Sequence, residues 1–492
     1  MKLNKTMNRR RFFGLTTLTG AGALLAACAP PVAAPVAPTA PAAPAASEAT
    51  ATPATEAPAA PRQISETNDP EAVTFWTPGG SATYCTNFDT ISKSFSEKNP
   101  GVKVGSVQCG AGDQNFLEIF LARVAAGNPP DVSVIWDSPV ALAARGALEP
   151  LDELMKDSVY SQVENWPPGV LASCQFQGKT YGLPVAAGTY ALFYNETLFE
   201  KKGIAIKRED FPKTWADLRK ISKELTVWNG DTLEQVGLVP NKIDNVELNI
   251  WSALNGSQFY DNGASKFTID SPQNIELMEF LLTWFNEDYR GDLTALEATA
   301  NWNFFADPNG RPPMWQGGKL GIGGNGFWAA GDMYGTEMAA DAKKWNVAQY
   351  PVGPSGSGTK SGYWPNWMVV PKGAKRREEG FKYADYMSVE GIRVWFSAVP
   401  DLPVNKKVPA GELFPDRVAN ERGPEFAKDV MAFFTNQLDV ATPMWNSPVQ
   451  NFANDQITRM MEQVYTKQAA PKEALAEAQK ACQAELDKVM KV

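Results

Sequence analysis

Apolar positions along residues 73–136 switch back and forth between two periods. Val73-Thr74-Phe75-Trp76 is a short apolar run closed by Pro78-Gly79-Gly80, which predicts a buried strand ending in a loop. Phe88, Ile91 and Phe95 then recur at helical spacing until Asn99-Pro100-Gly101 stops them, and Val102, Val104 and Val107 alternate as a second strand. Asp113 can cap a second helix with the face Phe116, Leu117, Phe120, Leu121 and Val124, ended by Gly127-Asn128-Pro129-Pro130. Val132 to Trp136 reads as a third strand. This order is that of a parallel α/β sheet, whose ligands sit beyond the carboxyl ends of the strands: here Trp76 to Gly80, Cys109 to Gly112, and Asp137-Ser138. Farther on, Asp270-Ser271-Pro272 caps a helix carrying Ile275, Met278, Leu282 and Phe285, and Leu475, Ala478, Cys482, Leu486 and Val489 form one face of a closing helix.

A different kind of apolar stretch opens the chain. Phe12 to Ala27 is interrupted by Gly14, Gly20 and Gly22 and is short for a bilayer, which takes roughly 20 residues. Asn8-Arg9-Arg10-Arg11-Phe12-Phe13 resembles a twin-arginine export signal, and Leu25-Ala26-Ala27-Cys28 resembles a lipobox whose Cys28 becomes the lipid-modified N-terminus. Ala29 to about Asn68 is Ala, Pro, Thr, Val, Ser and Glu without apolar period, which predicts a semi-stiff stalk rather than a core. The expectation is an exported domain tethered through Cys28 at the extracytoplasmic face of a membrane.

The length of 492 residues exceeds what one core normally fills, so two domains or a large two-lobed binder are expected. The net charge of −9, with scattered cations, gives no footprint for nucleic acid. Histidine is absent, which removes Ser-His-Asp and Cys-His nucleophile systems and histidine zinc sites, while carboxylate-only chemistry survives. Beyond Cys28 the cysteines are Cys85, Cys109, Cys174 and Cys482, in no metal-binding spacing. No metal and no cofactor is expected. Cys85 and Cys109 follow the first two predicted strands, whose ends can lie close, so they are the preferred disulfide pair; two reduced buried cysteines remain the alternative.

An ordered set of segments resembles the carbohydrate class of extracellular solute-binding proteins, the maltose-binding-like lipoprotein components of ABC importers. These are Phe75-Trp76, Phe95 to Val104, Ala126 to Val132, Ala144 to Leu151, Gly178 to Pro184, Leu192-Phe193-Tyr194-Asn195, Pro212 to Leu218, Gly317 to Ile322, and Leu402-Pro403-Val404-Asn405. The resemblance implies an α/β, two-lobed periplasmic-binding-protein fold with a ligand cleft between lobes joined by several crossing strands. Leu183-Pro184-Val185, Val347 to Pro351 and Pro400 to Val404 match those crossings. It also implies a signal over 1–27, a lipidated cysteine and linker over 28–69, one lobe from 70–183 with 347–400, and a second from 184–346 with 401–492. The implied function is capture of a mono- or oligosaccharide by a monomeric, non-enzymatic receptor that delivers it to a membrane permease.

Aromatic density agrees with a sugar ligand. Fifteen tryptophans include Trp328 after Gly323-Gly324-Asn325-Gly326, Trp364 beside Pro365-Asn366, and Trp302 between two asparagines. Flat rings beside amides suit a pyranose, which presents C–H faces and hydroxyls. Trp215, Trp284 and Trp395 lie on helical faces and read as core. Candidate ligand contacts are Trp76, Tyr84, Tyr190, Trp302, Trp328, Tyr363 and Trp364, with Asn255, Asn325 and Asp401 as polar partners. Asp137 is either a ligand contact or a helix cap. Gly321-Ile322-Gly323-Gly324-Asn325-Gly326 matches a dinucleotide pattern but lacks the opening strand-helix-strand unit and the later acid, so it reads as a ligand-rim loop. The rival functions are a carboxylate-dependent cell-surface carbohydrate hydrolase or lyase, and a receptor for a non-sugar solute such as a glycerophosphodiester, for which Arg311 is the obvious cation.

Overall fold

The computed structural model describes residues 70–491 except 80–81, 111–112, 305–312, 333–337, 410 and 443–445. The export and lipidation signals, Cys28, the stalk and Arg311 lie outside the described residues. Among the described residues no helix is long and apolar enough to cross a membrane.

The helical pattern reads as expected. Helix Ala82–Lys98 buries Phe88, Ile91 and Phe95, and helix Asp113–Ala125 ends before Gly127, whose φ of 69° lies in the left-handed region that favours glycine. In helix Pro272–Asp288 the Ser271 hydroxyl accepts from Asn274 N at 3.3 Å. Its buried face is Leu277, Met278, Leu281, Trp284 and Phe285, rotated from the expected one, with Ile275 and Leu282 only partly buried. The last helix, Pro471–Val489, buries Leu475, Ala478, Cys482 and Leu486.

Two strand expectations change. The run from Val102 to Val107 contributes only a bridge between Val104 and Val73, and the paired strand is Gln108–Cys109. The glycine-rich run expected as a rim loop is itself a strand, Ile322–Gly326, because residues Tyr190 to Tyr194 lie opposite and take its backbone hydrogen bonds.

The sheet explains how two lobes share one chain. Phe75–Thr77 lies parallel between Gln108–Cys109 and Val132–Ile135. Val132–Ile135 pairs antiparallel with Ser361–Val369, which pairs antiparallel with the long strand Leu183–Asn195, so the sheet is mixed rather than wholly parallel. Ile322–Gly326 and Trp345–Ala348 flank the second half of the long strand, and Leu402–Pro403 pairs with Ala187 and Ala186 in its first half. Two hydrophobic cores form around it. The first takes Leu183, Val185, Ala186 and Ala187 from this strand, the second takes Tyr190 to Tyr194, and core membership changes at Gly188-Thr189. Thr189 is pinned there by its hydroxyl, which donates to Phe434 O at 2.8 Å.

Cys85, in the first helix, is disulfide-bonded to Cys109, at the end of the second strand, with Cα atoms 6.4 Å apart. Cys174 and Cys482 are buried thiols.

Candidate cleft between the lobes

Where the long strand passes from one core to the other, period-two geometry puts Ala186, Gly188 and Tyr190 on one face of the sheet. Opposite them stand Asn366, Trp364 and Gly326, and cross-strand partners share a face. Trp328 follows two residues after Gly326 and packs against both cores. Its ring meets Tyr190 edge-on, with centroids 5.3 Å apart. Trp328 and Trp364 are only half-buried, whereas Tyr190 is buried. Asp401, from the third crossing segment, accepts from Asn366 Nδ2 at 3.0 Å.

The same face continues to a buried acid pair. Asp244 caps helix Asn245–Ala253, accepting from Val246 N and Glu247 N at 2.8 Å each. Glu247 accepts from the Tyr350 hydroxyl at 2.9 Å, and together they fill the space above Gly324, where a β-carbon would lie 1.6 Å from Glu247 Oε1. Burial pushes the Glu247 carboxyl up to about 8, and the neighbouring Asp244 charge adds to the rise. Burial also holds the hydroxyls of Tyr190 and Tyr350 well above the ordinary tyrosine range, helped by the surrounding carboxylates. At neutral pH the face therefore offers hydroxyl donors, a largely protonated Glu247, and aromatic surface.

A second patch lies between the lobes at the carboxyl end of Val132–Ile135. Asp137 accepts from Asn451 Nδ2 at 2.8 Å, and Asn446 bonds both Ser138 Oγ and Ser173 O. The cap of helix Pro139–Ala144 is Ser138, not Asp137. Asp137 lines a cavity of about 430 Å³ together with Leu117, Glu118, Leu121, Arg145, Asn451, Phe452 and Asp455.

Residues 86–392 match the family model of bacterial extracellular solute-binding proteins. The chain belongs to that family. A putative binding protein of Brucella abortus is 24% identical over 329 residues, which cover 65% of this chain and 73% of the relative. The sn-glycerol-3-phosphate-binding periplasmic protein UgpB of Salmonella typhimurium is 25% identical over 203 residues, 39% of this chain and 45% of its own. Among solved structures, mannotriose-bound CpMnBP1 superposes with a TM-score of 0.68 at 21% identity, covering 83% of this chain and 99% of the other.

Within this solute-binding protein the remaining candidates are placed elsewhere. Trp76 is wholly inside the first core, edge-on to Phe116 and with the Arg123 guanidinium 5.5 Å from its ring. Tyr84 is buried against Phe88 and Trp395. Tyr363 is buried in the first core with its hydroxyl 3.4 Å from Gly169 O. Asn255 clamps a connector, donating to Gln273 O and Glu276 Oε2 and accepting from Ser355 N at 3.0 Å. Trp302 is buried in the second core, where it lines a cavity of about 30 Å³ that Glu247 and Gly324 of the candidate face also line, and Asn325 Oδ1 accepts from Gly326 N. The structure therefore gathers Tyr190, Trp328, Trp364 and Asp401 on one face and adds Glu247, Tyr350 and Asn366, which the sequence reading did not single out.

Proposed function

We propose that this protein captures a neutral carbohydrate between its lobes and delivers it to an ABC permease without altering it. The observation that carries this reading is the pair of half-buried indoles, Trp328 and Trp364, flanking the crossing strand beside Asp401 and Asn366. An indole face takes the C–H face of a pyranose, and a carboxylate with an amide takes its hydroxyls. That fold relatives have been solved with mannotriose, mannobiose and maltotriose bound supports the same class. Receptor action rather than hydrolysis is supported by the family, whose model describes bacterial extracellular solute-binding proteins. A phosphodiester is disfavoured on this face, where the titratable groups acting on Tyr190 are the acids Asp244, Glu247 and Asp401 and a cation to pair with phosphate is not among them.

Attachment through Cys28 at the extracytoplasmic side, on a stalk of residues 29–69, would hold the monomeric receptor near its permease. Asp137 and the cavity beside Arg145 provide a further stretch of groove for ligand contact.

A thermal-shift screen of mono-, di- and oligosaccharides, with glycerophosphodiesters included, tests the assignment. A ligand present at 100 times its Kd stabilises the fold by about 2.7 kcal/mol, well within reach of the method. Stabilisation by a saccharide is expected. Stabilisation by phosphodiesters alone would transfer the protein to the UgpB-like class.

A further inference from the structure

Resting on the reading of this face as the solute site, we propose that Gly188 and Gly326 are specificity-determining positions, because the side chains they lack leave the seat that fixes where the Trp328 indole lies. Glycine weakens a strand interior, so two of them on neighbouring strands need a cause. Conformation is not the cause, since neither residue is among the glycines with positive φ. Space is. A β-carbon on Gly188 would sit 2.0 Å from Trp328 Cε3 and 2.1 Å from Cζ3, and one on Gly326 would sit 2.0 Å from Cζ3 and 2.3 Å from Cη2. The six-membered ring of the indole thus occupies the volume that side chains at both positions would take.

The two seats differ in one respect. The β-carbon at Gly188 would also lie 2.9 Å from Asp401 Oδ1, whereas the three atoms nearest a β-carbon at Gly326 all belong to the indole. Gly188 therefore holds the stacking ring and the carboxylate at a fixed spacing, and Gly326 sets the ring alone. Tyr190, buried and edge-on to the indole, closes the third side. Because the ring cannot sink or tilt without striking backbone, the height of the stacking surface above the sheet is determined by these strands and not by the rotamer of Trp328. Both glycines act through Trp328 and are positioning residues, not ligand contacts.

A double-mutant cycle tests this. In the full-length protein, Gly188→Ala and Gly326→Ala should each weaken binding of the best saccharide from a panel including maltotriose and mannotriose by about tenfold or more. In a Trp328→Ala background, itself weakened, Gly326→Ala should change affinity by less than about twofold, because the group it displaces is gone, and Gly188→Ala should keep only the smaller effect that acts through Asp401. Removing the indole should also restore the melting temperature lost in Gly188→Ala, which keeps the test decisive even where that single variant folds poorly. Equal effects in both backgrounds, or unchanged affinity in both single variants, would overturn the seat. If no saccharide binds the wild-type protein, the solute reading fails instead. The seat is then judged by near-ultraviolet circular dichroism: Gly326→Ala must alter the difference spectrum between the Trp328 protein and Trp328→Phe.

Discussion

Glu247 shows how one buried carboxylate links pH to the cleft. Its pKa is raised to about 8 by burial and by Asp244, so the native state keeps a proton that the unfolded chain releases near pH 4.3. Over that interval the native state binds more protons than the unfolded one, so stability falls as pH rises from about 4.5 and levels off above about 8. Melting curves across this window should show a shallower decline in Glu247→Gln; Asp244, raised in the same direction, retains the remainder. An identical slope in the variant would remove Glu247 from the linkage. At the same scale, Trp328→Ala and Trp364→Ala should each weaken saccharide binding by about tenfold while the protein still unfolds cooperatively, at a temperature lowered by the packing each ring gives up, as calorimetry and thermal unfolding would report. Trp328 and Trp364 were legible in sequence because turn residues and amides surround them. Glu247 was not, since Asp244-Asn245-Val246-Glu247 reads fully as a helix start and its partner Tyr350 lies 103 residues away. Trp76, at a strand end, and Tyr84, beyond the turn that follows it, were candidates for the cleft, but both rings turn into the first core.

Elements with a strong apolar period and clear punctuation were the most readable. Helices Ala82–Lys98, Asp113–Ala125 and Pro471–Val489 follow their sequence patterns, because an apolar stripe at helical period specifies a helix whatever it later packs against. Strands depended on partners far along the chain. Ile322–Gly326 looked like a loop from its glycines and became a strand through pairing with Tyr190 to Tyr194, while Val102 to Val107 alternated correctly but found only one bridge. The Cys85–Cys109 link ties the first helix to the second strand across 24 residues. Replacing both cysteines by serine should lower stability by about 2–4 kcal/mol in denaturant unfolding yet preserve the fold, since Phe88, Ile91 and Phe95 still anchor the helix. Loss of folding in the double variant would show that the bridge is required and not accessory.

At the scale of the molecule, one strand serves two cores. Leu183–Asn195 is buried along its length, yet its first half belongs to one lobe and its second half to the other. The two-lobed α/β design was legible from the ordered family segments, and the mixed character of the sheet was not, because antiparallel pairing by Ser361–Val369 and Leu183–Asn195 leaves no local signature. The change of core membership brings residues from four distant segments, around 188, 326, 364 and 401, together on one face of the sheet, and in the proposed solute site motion of either lobe would alter their spacing. The most direct measurement is a calorimetric titration of the protein with neutral oligosaccharides, followed by recovery of the ligand. The account predicts saturable binding of one saccharide per chain, recovered intact, and lost on removal of the Trp328 indole. A saccharide returned cleaved, or binding confined to a phosphodiester and indifferent to Trp328, would contradict it.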